Sequence, residues 1–141
     1  MSLSLAAFSM DDYAEVMALW HGIEGVGLSA ADQPERIAAY LVRNPGMSLV
    51  AREDGALVGA ALCGHDGRRG YLHHLAVRPD RRGRGIGRAL VAGCLAALAA
   101  EGIDKCHLFV FKDNLEGQAF WRKLGWQERL DLTVMSQNVQ R

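Results

Sequence analysis

The chain has 141 residues, half of them apolar and 23% charged, which suits one domain spanning 1–141 that buries a core without disulfide or metal staples. Lys and Arg together number 16, as do Asp and Glu, so the formal net charge is zero and no extended basic face marks a nucleic-acid partner. The longest apolar run, Ala89 to Ala100, is too short for a bilayer, no basic segment precedes the N-terminal apolar patch, and Cys63, Cys94 and Cys106 lie apart without a metal-binding spacing, so the expectation is a reduced, cytoplasmic protein with no metal and no membrane partner.

In chain order, residues 3 to 8 read as a first strand, and Asp11 or Asp12 is placed to cap a helix through about Trp20, with Tyr13, Val16, Met17 and Trp20 at helical spacing. The stretch from His21 to Gln33 is glycine-rich and aperiodic and reads as a mobile connection. Pro34 then begins a second helix with Ile37, Tyr40 and Leu41 on one face. "SLVAR", "ALVGAALCGH" and "GYLHHLAV" follow, punctuated by Glu53-Asp54-Gly55 and Asp66-Gly67, and predict an antiparallel three-strand meander. Leu90, Val91, Cys94, Leu95 and Leu98 stripe a helix that ends at Gly102, and "KCHLFVF" supplies a strand that the intervening helix makes parallel to its predecessor. Asn114 is placed to cap a helix from Leu115 to Leu124, closed by Gly125, and Trp126 to Ser136 supplies one or two last strands.

Between the meander and the third long helix lies "PDRRGRGIGRAL". From Arg78 to Arg88 there are five arginines and one acid, Asp80, a cationic patch on a neutral chain. A strand-to-helix loop presents free amides and the positive end of a helix dipole. Gly83, Gly85 and Gly87 allow close approach, and Arg82, Arg84 and Arg88 add charge-assisted hydrogen bonds. A diphosphate fits this better than a nucleic-acid backbone. The spacing is neither a Walker loop, since no Gly-Lys-Ser/Thr occurs, nor a dinucleotide fingerprint, since Arg88 stands where glycine would be needed.

The run Val77-Arg78-Pro79-Asp80-Arg81-Arg82-Gly83-Arg84-Gly85-Ile86-Gly87 resembles the acetyl-CoA loop of the GNAT superfamily of N-acetyltransferases, with Arg82-x-x-Gly85-x-Gly87 as its core. "NLEGQAFWRKLGW" resembles the superfamily's second motif, with Asn114, Phe120, Trp121, Gly125 and Trp126 at the matching offsets. The segment "GHDGRRGYLHHLAV" is more loosely similar to the bacterial YpeA-type branch. The resemblance implies an α/β fold of GNAT type, with a mixed, mostly antiparallel sheet of six to seven strands flanked by about four helices. It also implies strands four and five splayed around a pantetheine arm. Leu75, Ala76 and Val77 would then line the arm, the segment Arg82, Gly83, Arg84, Gly85, Ile86, Gly87 and Arg88 would hold the pyrophosphate, and Asn114 and Trp121 would face the cofactor, Asn114 capping its helix as well. Acetyl-CoA is the implied co-substrate and a small-molecule or protein amine the acceptor, and a homodimer is compatible with the pattern.

Transfer to an amine needs a neutral nucleophile, and something must take its proton. Strand alternation puts His73 on one face with Leu75 and Val77 and His74 on the other, so only one of the pair faces the cleft. Arylalkylamine acetyltransferases of this superfamily also carry a histidine at the position of His73. His73 is therefore the candidate base, with a structural histidine as the alternative, and Tyr71 on the same face is a secondary candidate to orient the acceptor. Relatives place tyrosine where Trp121 stands, and an indole cannot protonate a leaving thiolate. Acceptor choice is expected to fall to His21 to Gln33 and Trp126 to Thr133, with Glu24 and Asp32 as attractors of a cationic amine. The reading from another class is an acyl-CoA-binding regulatory or interaction domain without turnover.

Overall fold

Asp54 and Gly55 both take left-handed φ angles, 51° and 86°, as a two-residue type I′ hairpin turn demands. That turn joins β2 (Leu49–Glu53) to β3 (Ala56–His65), with Glu53 directly opposite Ala56. The structure is a computed structural model that describes residues 2–140, and its contacts divide the chain into two units, the first ending at Phe109 and the second starting at Val110.

In the first unit, β1 (Leu3–Ala7) pairs antiparallel with β2, β2 with β3, and β3 with β4 (Gly70–Val77), while β4 pairs parallel with β5 (Cys106–Leu108). The strand order is thus the sequence order. Two helices, α1 (Tyr13–His21) and α2 (Pro34–Arg43), cover one face. Their Val16, Trp20 and Ile37 pack with Val50, Ala60, Leu62 and Ala76 of the strands. On the other face α3 (Ile86–Ala100) sets Ile86 and Leu90 against Ala51 and Val58, with Leu75 and Val77 of β4 beside them. The crossover from β4 through α3 to β5 is the parallel unit expected from the sequence.

The second unit holds α4 (Leu115–Lys123), and Asn114 caps it as expected, its Oδ1 accepting the Gly117 N–H at 2.9 Å. Two expectations need correction. The sequence predicts six to seven strands, whereas the described residues form five. "KCHLFVF" is a strand only over Cys106–Leu108, and Trp126 to Ser136 forms none, leaving Leu130, Leu132 and Val134 exposed. A period-two pattern supplies the propensity for a strand, but a strand also needs a partner to accept its hydrogen bonds, and residues 126–136 have none among the described residues.

Candidate active site

The cationic loop begins with one 3-10 turn, Pro79–Arg81, and ends where Gly85 caps α3 with φ 82°. The first backbone bond of the helix runs from the Ala89 N–H to the Gly85 carbonyl, and the amides from Gly83 to Arg88 have no acceptor among the described residues. They form a short row of free donors at the positive end of a fifteen-residue helix. A Cβ on Gly85 would meet open space, so the position requires glycine for its left-handed backbone.

The five arginines divide into two groups. Arg78 holds Asp80 through two bonds of 3.1 and 2.8 Å, and Arg81 reaches both Asp80 and Glu53 at 2.8 Å. The Arg78 guanidinium keeps the Asp80 carboxyl below the usual carboxylate range. Glu53, 9% exposed, comes from β2 and is an anchor that the local sequence of the loop does not reveal. Arg82 donates from Nε to the Val77 carbonyl at 3.2 Å, Arg84 lies 3.9 Å from Glu53, and Arg88 has no acidic partner among the described residues. Arg78 and Arg81 therefore fold the loop, while Arg82, Arg84 and Arg88 keep N–H groups to offer.

The β4 strand leads into this loop and is irregular on both edges. Its ladder with β5 runs over Gly70, Tyr71 and Leu72 and stops, so the segment from His73 to Val77 has no strand partner on that side among the described residues. Against β3, Ala60 faces Ala76 and Leu62 faces His73, so His74 and Leu75 together stand opposite the single Ala61. This is a β-bulge, and His74 at its centre has φ 54°, a left-handed value that costs a residue with a Cβ about 1 kcal/mol or more.

The bulge corrects the expected faces. Leu75 and Val77 pack toward α3, whereas His73, two residues from Tyr71, stays on the α2 side with it, and His74 also turns to that side of the sheet. His74 Nε2 lies 2.9 Å from Asp32 Oδ1, and its ring meets Trp20 edge-on with centroids 5.0 Å apart. Asp32, 4% exposed, also accepts the Ser29 N–H at 2.9 Å, and the Tyr13 hydroxyl donates to its carbonyl at 2.6 Å. Asp32 is thus a buried partner of His74, not a loop acid waiting for a cation, and Glu24 stands exposed nearby in sequence.

His73 and Tyr71 stack almost parallel, 5° apart with centroids at 6.3 Å, and Phe109 extends the row at 6.2 Å from His73 and 6.5 Å from Tyr71. Burial, seconded by His74, holds the His73 pKa below its ordinary value against an opposing pull from Asp32. The imidazole is accordingly neutral at pH 7 and able to accept a proton. Trp121, in the second unit, packs its ring between those of Phe120 and Trp126 at 5.1 and 5.0 Å.

Residues 13–126 match the sequence profile of the acetyltransferase (GNAT) family. The chain belongs to that family. An acetyltransferase of Pectobacterium atrosepticum is 36% identical to this GNAT chain over 126 residues, covering 89% of the chain and 88% of the relative. One of Sodalis glossinidius is 36% identical over 138 residues, covering 97% and 96%. Among solved structures, the PaiA N-acetyltransferase of Thermoplasma acidophilum in complex with coenzyme A superposes with TM-score 0.73 at 20% identity over 88% of the GNAT chain and 89% of its own. A ribosomal-protein-alanine N-acetyltransferase of Brucella melitensis gives 0.74 at 20% over 96% of the GNAT chain and 99% of its own. At that identity the likeness is one of fold. No helix of the described residues is long and apolar enough to cross a membrane, and no three His, Cys, Asp or Glu side chains among them are grouped to hold a metal.

Proposed function

We propose that this GNAT chain is an N-acetyltransferase that moves the acetyl group of acetyl-CoA to a primary amine by direct attack within a ternary complex. The observation that carries the reading is the continuity of one edge: β4 loses its β5 partner after Leu72, presents His73 next, and runs unpaired on that side into the donor row at the start of α3. That edge suits an extended molecule with amides along its length and a diphosphate at its end, which is the chemistry of acetyl-CoA. Unpaired peptide groups among Leu75, Ala76 and Val77 hydrogen-bond the pantetheine arm. The amides from Gly83 through Ile86 and Gly87 to Arg88 receive the pyrophosphate, and Arg82, Arg84 and Arg88 add charge.

In the reaction the amine nitrogen attacks the thioester carbonyl, a C–N bond forms, the C–S bond breaks, and CoA departs as its thiolate. His73 takes the proton that the amine gives up, directly or through one water, and Tyr71 stacked on the ring keeps the imidazole plane fixed. Asn114 caps α4, and Trp121 cannot act as an acid, because indole has no labile proton at neutral pH. The test is release of CoA across a panel of amines, with titration calorimetry of acetyl-CoA on the same protein. Turnover of at least one amine with saturable binding is expected. Tight binding with no turnover of any amine would instead favour a CoA-binding module without chemistry.

A further inference from the structure

A cavity of about 220 Å³ opens on the sheet face that carries His73 and Tyr71, bounded by Tyr40 and Arg43 from the last turn of α2, by Asn44 just past its end and by Gly64 near the end of β3. Its room depends on Gly64. A Cβ there would lie 2.6 Å from the Tyr40 hydroxyl and 2.6 Å from the Asn44 side chain, so any other residue would fill the floor.

Several polar groups around the cavity are already committed. Asn44 accepts the His65 N–H at 3.0 Å and donates to the Tyr40 carbonyl at 3.3 Å. Asp66 is held by the Arg68 and Arg69 amides, both at 2.8 Å, and these keep its carboxyl below the usual range. His65 accepts the Gly67 N–H through Nδ1 at 2.9 Å and turns Nε2 toward Glu101 at 3.7 Å. Three groups remain without a partner among the described residues: the Arg43 guanidinium and the hydroxyls of Tyr40 and Tyr71. Burial pushes the Tyr40 phenol above its usual range, so it stays protonated and donates. The free groups are therefore donors, one of them a permanent cation with the planar fork that fits a carboxylate. His73, also in the wall, is the one that accepts a proton.

We propose that the acceptor is an amine of amino-acid size that carries a carboxylate, and that Arg43 is the specificity-determining residue that binds this carboxylate while the amine faces His73. The inference rests on the acetyltransfer reading and narrows its substrate class. Size is compatible with it: the cavity of about 220 Å³ has room for a molecule of amino-acid size. Arg43 is exposed, so water solvates its guanidinium when no carboxylate is present, and the preference comes from the directional, charge-assisted pair itself.

The experiment compares kcat/KM for amino acids with that for the same molecules lacking the carboxylate, such as leucine against 3-methylbutylamine and phenylalanine against phenethylamine, in the parent, Arg43→Gln and Arg43→Lys. At least one amino acid should exceed its partner by about fivefold in the parent. The ratio should fall toward one in Arg43→Gln, through KM more than kcat, and be partly kept in Arg43→Lys. Equal or faster transfer to the carboxylate-free partners, or a ratio that Arg43→Gln does not alter, overturns the assignment and leaves acetyltransfer standing. Acetyl-CoA binding without turnover of any amine overturns both.

Discussion

The strained bulge makes a quantitative prediction about His74. Replacing it by alanine removes the 2.9 Å contact to Asp32 and strands a carboxylate that is 4% exposed, which for a buried pair costs about 3 kcal/mol at the low end, since Asp32 keeps its bond from Ser29. Loss of the edge-on contact with Trp20 adds about 1 kcal/mol, giving about 4 kcal/mol in all. For a chain of this size that lowers Tm by about 12 °C. Glycine at the same position loses the same contacts but relieves the 54° φ, so His74→Gly should be about 1 kcal/mol more stable than His74→Ala, reversing the usual order for a strand. Urea unfolding followed by far-UV circular dichroism reads both differences. A glycine variant less stable than the alanine variant would refute the left-handed bulge, and two variants within 1 kcal/mol of the parent would refute the buried pair.

His73→Ala should reduce kcat on the order of a hundredfold or more with acetyl-CoA affinity nearly unchanged, as measured by CoA release and calorimetry. Because the His73 pKa is held down and the base acts in its neutral form, kcat at saturating acceptor should be level through pH 7 and fall only as acid protonates the ring, at a pH below about 6.5, a limb that His73→Ala should lack. Gly85→Val should weaken acetyl-CoA binding more than Arg84→Ala does, since a β-branched residue resists φ 82° and shifts the backbone that carries the donor row; parental affinity for Gly85→Val in calorimetry would remove that cradle. Trp121→Tyr should leave turnover flat, and a severalfold gain with unchanged acetyl-CoA affinity would show that a missing acid limits the reaction.

Local chemistry was legible in the sequence and cross-chain geometry was not. The Asp54-Gly55 turn and the Asn114 helix cap follow from a few neighbouring residues whose local preferences agree. The β4 bulge does not, because it is a mismatch between two strands, and a single strand read alone shows only alternation, which puts His73 on one face with Leu75 and Val77 as well as Tyr71. Glu53 is 28 residues from Arg81, and Asp32 is 42 residues from His74, separations at which no spacing rule operates. The last strands failed for the related reason that a strand is defined by its partner: "LDLTV" has the right alternation and no ladder among the described residues.

The extra residue in β4 makes that strand two half-strands out of phase. Up to His73 the odd-numbered side chains belong to the α2 layer, and from His74 onward the even-numbered ones do. One continuous backbone thereby turns two consecutive histidines to the same side, one open to a cavity and one locked to Asp32, which an unbroken strand cannot do. Deleting His74 alone would consequently restore plain alternation, leaving Tyr71, His73 and Ala76 on one side and Leu75 and Val77 on the other while Asp32 loses its partner. In this strand the register is a discrete variable, and the two histidines share a side in only one of its settings.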